Sequence, residues 1–151
     1  MKFHSSVLFV EDIEKSKDFY VRILEQEIEH DFGKNVIFKG GLSIWEVQIE
    51  HIIKEQLNVK GDSNRLELYF ETEQIEENLT KLESENLEFL HGIHEEAWGQ
   101  RSIRFFDHDQ HLIEIGETME TFIKNMHQNG LSIKQISEKS GISIDAIKLI
   151  V

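Results

Sequence analysis

Between Trp98 and Glu117 the chain reads WGQRSIRFFDHDQHLIEIGE, and two ionisable residues, Arg104 and Glu114, stand where apolar ones would suit a strand. Period-two alternation puts Ile103 and Phe105 on one face of a first strand and Ser102, Arg104 and Phe106 on the other. In a second strand Ile113 and Ile115 face one way, Leu112 and Glu114 the other, and Asp107-His108-Asp109-Gln110 is the polar turn between them. A guanidinium and a carboxylate on one side of a hairpin form either the wall of a polar cleft or an ordinary half-exposed hairpin. Upstream, Glu67, Tyr69 and Glu71 alternate with Leu68 and Phe70, so the Tyr69 phenol shares the face of Glu67 and is a candidate cleft donor. Trp98 could stack on a flat or apolar ligand, whereas Trp45, opposite Ile44, is expected in the core. His91 with His94 and His108 with His111 are each three residues apart. Both pairs fall in or beside expected turns and read as surface histidines, since a metal pair would also need a third ligand.

The elements that must position these residues follow a repeated order. Phe3–Val10 reads as a strand, Asp12 as a helix N-cap, and Ile13, Phe19, Tyr20, Ile23 and Leu24 as the inner stripe of a helix. Three β-like pieces follow, Glu27–Phe32, Asn35–Lys39 and Leu42–Glu50, separated by Gly33 and Gly40-Gly41. Residues 51–64 suit a short helix or loop, with Gly61-Asp62-Ser63-Asn64 as the internal boundary. A strand from Leu66 then leads into a helix with Ile75, Leu79 and Leu82 inward, a strand at Leu87–His91, and the hairpin described above. Twice the order is strand, helix, three strands, at a spacing of about 60 residues. The expected organisation is an α+β domain over residues 1–118, with modules 1–60 and 65–118, and a helical C-terminal extension over 119–151. In that extension Phe122, Ile123 and Met126 suit one helix, Ser132-Ile133-Lys134-Gln135 has capping-box spacing for a second, and Ile144, Ile147 and Ile150 suit a third beyond Gly141.

Composition narrows the functional classes. The chain has no Cys, which removes disulfides, thiolate metal sites and a cysteine nucleophile, and no Pro. Residues 1–116 hold 25 acids against 12 Lys or Arg, and residues 117–151 hold four of each, so the net charge of -13 sits entirely in the first part. Such a body repels phosphate backbones, and no nucleic-acid partner is expected. Two short helices around Gly141 can suggest a DNA-reading pair, but the zero net charge of residues 117–151 and the aliphatic last helix favour packing on the domain or on a partner subunit. The apolar run Val7–Val10 is too short for a signal peptide or membrane span, so a cytoplasmic protein without membrane attachment is expected.

Three stretches, VEDIEKSKDFYVRIL, LELYFETEQIEENLTKLESENLEFLHG and WGQRSIRFFDHDQHLIEIGE, resemble the vicinal oxygen chelate superfamily, which contains glyoxalase I, fosfomycin- and bleomycin-resistance proteins and extradiol dioxygenases. The resemblance spans residues 1–118 and implies paired βαβββ modules whose curled mixed sheets form a small-molecule cleft, commonly in a homodimer. Family enzymes hold a divalent metal with side chains from the first strand of each module and from the final strand. By position these fall on Ser5, where histidine is usual, on Glu67, where histidine is frequent, and on Glu114; Glu46 is a candidate fourth ligand. His4, beside Ser5, points to the opposite face. The family's D-P-D-G turn lacks its Pro and Gly here, so a residue other than Gly must take the left-handed conformation.

Glu46, Glu67 and Glu114 gathered in one cleft would need neutralising, because two carboxylates about 5 Å apart repel by roughly 3 kcal/mol at an effective dielectric near 20. A metal, a shared proton or Arg104 could do so. An oxygen-rich set favours Mg, Mn, Fe(II) or Ca over Zn, and a metal-free Arg–Glu network is the alternative. The first reading is a metal-dependent lyase or isomerase of the glyoxalase kind, with Glu67, Glu114 and Glu46 on the metal and Glu46 or Glu114 moving a proton. Ser5, Tyr69, Trp98 and Arg104 would contact the substrate. The second is a metal-free protein that sequesters its ligand unchanged, which Ser5 and Arg104 favour. The third is an interaction module whose C-terminal helices recruit a partner.

Overall fold

The computed structural model describes residues 4–50 and 66–151. Residues 51–65, which include all of the expected short helix or loop and the Gly61–Asn64 boundary, lie outside the described residues. Two compact units result, Met1–Ser63 and Asn64–Val151.

In the first unit, the Asp12 carboxylate accepts from the N–H groups of Glu14 and Lys15, both at 3.1 Å, and starts helix α1 (Ile13–Arg22). This satisfies two of the donors that every helix leaves unpaired at its N-terminus. Ile13, Phe19, Tyr20, Ile23 and Leu24 are buried as the spacing predicts. They belong to the core with Val36 and Phe38 of β3 (Asn35–Phe38) and Ile44 of β4 (Leu42–Trp45), and the Tyr20 and Phe38 rings stack at 5.8 Å. With β1 (Ser6–Phe9) and β2 (Ile28–Asp31) the sheet order is β1-β4-β3-β2, β1 and β4 running parallel. The strand expected to run to Glu50 stops at Trp45, because the next residue, Glu46, turns its carboxylate to the N-terminus of α1.

The second unit repeats the plan with β5 (Glu67–Thr72), α2 (Ile75–Glu83), β6 (Glu88–Glu95), β7 (Arg101–Phe106) and β8 (Leu112–Glu117), in sheet order β5-β8-β7-β6. Strands β5 and β8 are parallel, and β7 pairs with β8 so that Ile103 lies opposite Ile115 and Arg104 opposite Glu114. Ile103, Phe105, Ile113 and Ile115 are buried, as are Ile75 and Leu82 of α2. The alternation therefore sorts the apolar side chains to one face and sends Arg104 and Glu114 to the other. The two βαβββ modules thus carry separate four-stranded mixed sheets in an α+β fold.

The turn between β7 and β8 is built on Asp107, which is 3% exposed. One of its carboxylate oxygens accepts from the N–H groups of Asp109 (2.9 Å) and His111 (2.8 Å), and the other lies 2.9 Å from His111 Nδ1. Gln110, with φ 66°, is the left-handed residue that stands in for Gly. His111 is accordingly half-buried and paired rather than a free surface histidine. Burial by itself lowers its pKa, but the hydrogen bond and charge of Asp107, aided by Asp109, outweigh it and the net direction is upward. A base whose pKa is raised on folding contributes stability that is complete below the unfolded value of about 6.5 and is lost as pH rises through the folded value. Urea unfolding of wild type and His111→Gln is expected to diverge most below that value and to converge at alkaline pH; a difference that grows with pH contradicts the assignment.

The C-terminal residues form α3 (Met119–Gln128), α4 (Ile133–Ser140) and α5 (Ile144–Lys148). Ser132 and Gln135 make the full reciprocal capping box, and Gly141 at φ 74° ends α4. Phe122, Ile123, Met126, Ile136 and Ile147 form a buried cluster of their own. Three contacts tie this cluster to the second sheet: Asn125 Nδ2 donates to Glu117 Oε1 (2.9 Å), Lys139 pairs with Glu95 (2.6 Å), and Met126 Sδ lies 2.6 Å from where a Cβ on Gly99 would be. Glycine at 99 is favoured by its φ of +95° and leaves room for the Met126 side chain. Among the described residues no helix is long and apolar enough to cross a membrane.

Candidate functional site

The polar face of the second sheet converges on Arg104. Its Nε donates to Glu67 Oε2 from β5 (2.9 Å), its Nη1 to Glu96 Oε1 just beyond β6 (2.6 Å), and its Nη2 to Glu114 Oε2 on β8. Nη1 also approaches His91 Nε2 at 3.3 Å, and the buried Ser102 hydroxyl donates to Glu96 at 3.2 Å. Three carboxylates around one guanidinium leave the cluster with a negative excess, and Glu114, 5% exposed, carries the consequence. Burial first, and then the Glu67 carboxylate beside it, push its pKa above the usual carboxylate value, against the opposing pull of Arg104. Glu96 moves the other way, held down chiefly by its hydrogen bond from Arg104.

These shifts make an asymmetric prediction. A carboxyl whose pKa is raised on folding contributes stability below its unfolded value that is lost as pH rises through the folded one. Glu114→Gln removes that loss while leaving Glu67 and Glu96 on Arg104. The variant is expected within about 1 kcal/mol of wild type at neutral pH, and to gain on wild type as pH rises from about 4 to 7. A loss several times larger in urea unfolding would show Glu114 to be a net stabilising partner of Arg104.

Beside this network, Tyr69 lies opposite Glu114 in the β5–β8 register. Gln100, 8% exposed, donates from Nε2 to the Tyr69 hydroxyl (2.8 Å) and to the Glu117 carbonyl (2.6 Å), and its Oε1 accepts from Trp98 Nε1 (3.1 Å). Gly116 makes room for this arrangement, since a Cβ there would lie 2.9 Å from Gln100 Nε2 and 3.0 Å from the Tyr69 hydroxyl. Trp98 is 41% exposed and Tyr69 48%, so both rings present surface while Gln100 fixes their polar ends.

Glu67, Tyr69, Trp98, Arg104 and Glu114 are thus all in the second unit, and Ser5 and Glu46 are in the first. Ser5 immediately precedes β1 and is half-buried. Glu46 caps α1, accepting from Ile13 N–H at 2.9 Å, and pairs with Lys34. The Lys34 ammonium first, and then that backbone N–H, hold its pKa below the usual value, so it is a stable anion committed to two partners. Trp45 is half-buried on the face opposite Ile44, not in the core. With Phe32, Lys34, Asn35, Gln48 and Glu50 it lines a cavity of about 410 Å³ in the first unit. Sequence reasoning also missed Glu96, Gln100 and the role of His91. Strand β6 runs to Glu95 with two register shifts, which places His91 and His94 on a strand rather than in a turn. No local periodicity signals such shifts.

The donor set can be tested directly against the divalent metal that the family resemblance implies. Glu67 and Glu114, which would be ligands, both accept hydrogen bonds from the guanidinium of Arg104. An ion on those oxygens would require the guanidinium to leave. Among the described residues no group of three His, Asp or Glu side chains is arranged to hold a metal. As arranged, the residues do not fit a metal.

Comparison with known proteins agrees with the fold. The model of the glyoxalase-like domain family matches residues 3–120. No curated protein matches the chain. Among solved structures, a protein of unknown function from Agrobacterium tumefaciens str. C58 is 33% identical, with 79% of this chain and 95% of that chain covered and a TM-score of 0.65. Two others share the fold at lower identity. The genomically encoded fosfomycin resistance protein FosX from Listeria monocytogenes is 22% identical, covering 80% and 97%, with a TM-score of 0.60. Lactoylglutathione lyase from Agrobacterium tumefaciens is 20% identical, covering 78% and 93%, with a TM-score of 0.57. With two βαβββ modules, a match over most of its length and a relative at this identity, the chain belongs to the glyoxalase-like domain family of the vicinal oxygen chelate superfamily.

Proposed function

We propose that this protein binds a flat, largely apolar small molecule and releases it chemically unchanged, acting by sequestration. The observation that carries this reading is the cavity of about 410 Å³ walled by Phe32 and Trp45. Small-molecule sites span about 300–1,000 Å³, mostly apolar with a few polar groups that set orientation. Asn35, Gln48 and Glu50 supply such groups, and Lys34, already paired with Glu46, adds little free positive charge. Phe32 is 68% exposed, so its ring is accessible to a ligand. The occupation of Glu67 and Glu114 by Arg104 supports a role without metal chemistry. A homodimer, as the family resemblance implies, belongs to the same reading.

A second reading, proton transfer by a lyase or isomerase, has one observation in its favour: Glu114 is buried with a raised pKa, the condition of a carboxyl poised to exchange a proton. One experiment separates the two. The neutral probe N-phenyl-1-naphthylamine is titrated against wild type, Phe32→Ala and Trp45→Ala, and a panel of planar aromatic compounds competes with it. Each substitution is expected to weaken binding about tenfold. The best competitor, incubated with protein and recovered by chromatography with mass detection, is expected unchanged. Its conversion, abolished in Glu114→Gln, would replace sequestration by catalysis, and binding unaffected by both substitutions would remove the cavity from the function.

A further inference from the structure

The cavity of the first unit carries a charge asymmetry as well as aromatic walls. Its lining holds two charged side chains, Lys34 and Glu50. Lys34 is paired with Glu46, and the Glu46 N–H donates to the Lys34 carbonyl at 2.8 Å, so the backbone keeps the two residues side by side. The lysine charge is therefore offset by a carboxylate that is not itself part of the lining. Glu50 is exposed and makes no ion pair among the described residues. Asn35 and Gln48 are neutral, so the lining presents one uncompensated negative charge. The surroundings have the same sign: residues 4–50 hold ten Asp or Glu against five Lys or Arg. We propose, on the reading of this cavity as the ligand site, that its ligand is a planar aromatic cation, with the Glu50 carboxylate as its counter-charge and the rings of Phe32 and Trp45 as its walls.

The walls and the charge favour this class over a neutral or anionic one. The face of an aromatic ring is the negative end of its quadrupole, and a cation within about 6 Å of the ring centroid is attracted to it, most strongly to an indole. Phe32 and Trp45 supply two such rings, and each rests against a further ring: His30 at 5.8 Å for Phe32, and Phe9 at 5.9 Å for Trp45. Ring faces and carboxylate thus attract a cation together, and the acidic unit around them adds a field of the same sign. A charge spread over a planar group is more weakly hydrated than a compact ammonium, so entry between aromatic walls costs it less. An anion would meet the free Glu50 carboxylate while the only cation of the lining, Lys34, is already engaged by Glu46.

The test is displacement of N-phenyl-1-naphthylamine, at mildly alkaline pH, by a matched set of three-ring compounds: N-methylacridinium, a fixed cation; acridine, neutral under these conditions; and acridine-9-carboxylate, an anion. Wild type is expected to bind the cation about tenfold more tightly than acridine, and the anion less tightly than either. Glu50→Gln is expected to weaken the cation about fivefold and to leave acridine unchanged. Asp18→Asn removes an exposed carboxylate of α1 outside the lining and is expected to change neither. Raising the salt from about 20 to about 300 mM should weaken the cation and not acridine. Acridine bound as tightly as N-methylacridinium, with Phe32→Ala and Trp45→Ala still weakening both, overturns the charge class and leaves the cavity as the ligand site. A cation preference that Glu50→Gln and Asp18→Asn lower equally also overturns it, because the attraction would then come from the acidic unit as a whole. Binding of none of these compounds, or binding indifferent to both ring substitutions, removes the cavity as the ligand site and the charge class with it.

Discussion

Arg104→Met is expected to destabilise the protein by about 3 kcal/mol at neutral pH, the lower end of the range for breaking a buried ion pair from one side. The lower end applies because the Arg104 side chain is 20% exposed and Glu67 32%, so solvent screens part of the interaction. The cost is not the loss of attraction alone. Glu114, with its side chain 6% exposed, and Glu96, at 15%, would be left as neighbouring anions with no cation between them. Methionine keeps the stem's packing and isolates the charge. The pH dependence fixes the cause. Without Arg104, Glu96 loses the hydrogen bond that holds its pKa down, and Glu114 loses the main influence opposing its upward shift. Carboxyls with pKa raised on folding contribute stability at low pH that disappears as pH rises through their folded values, so the deficit of Arg104→Met must grow between about pH 5 and pH 8. Urea unfolding at both ends of that window checks it. A deficit that is constant, or larger in acid, would mean that packing rather than charge is what Arg104 contributes.

Glu117→Ala carries the second large effect, about 3 kcal/mol, and acts where the C-terminal helices join the sheet. The Glu117 side chain is 1% exposed and accepts four hydrogen bonds: from Arg101 N (3.1 Å), Arg101 Nε (3.0 Å), Arg101 Nη2 (2.5 Å) and Asn125 Nδ2 (2.9 Å). Alanine leaves a backbone N–H and an amide without their acceptor at a half-buried position. Arg101 retains Glu76, which limits the loss on its side. Because Asn125 is on α3, hydrogen exchange in α3 should accelerate more than in α2. Asn125→Ala alone is expected to cost less, and the double variant to fall short of the sum, since the two share one bond. A Glu117→Ala protein within about 1 kcal/mol of wild type, with α3 protection unchanged, would show that the apolar cluster of Phe122, Ile123, Met126, Ile136 and Ile147 docks these helices unaided.

Which face of each strand an ionisable residue occupies was legible locally. Arg104, Glu114, Glu67 and Tyr69 are where period-two alternation puts them, because one sheet face is buried and a slip of one residue would expose Ile103, Phe105, Ile113 and Ile115 together. The N-cap at Asp12, the capping box at Ser132 and the left-handed residue in the Asp107 turn were legible for the same reason: each is set by backbone donors within a few residues. Neighbours brought in by distant segments were not. Glu46 reads as a cleft carboxylate until α1, 33 residues away, presents an unpaired N–H to it. Trp45 reads as core because its strand is apolar, and only the burial of Val36, Phe38 and Ile44 on the other face shows that its own face is the less buried one. The Trp98-to-Glu117 stretch shows the division most clearly. The sequence by itself determined that an arginine and a glutamate share one face of this hairpin. Only the tertiary structure decided that Glu67, Glu96 and His91 join them, because β6 enters through two register shifts and β5 pairs in parallel with β8 only after the chain has passed through α2, β6 and β7. Such pairings depend on the closure of the whole sheet, and no periodicity within a strand encodes them.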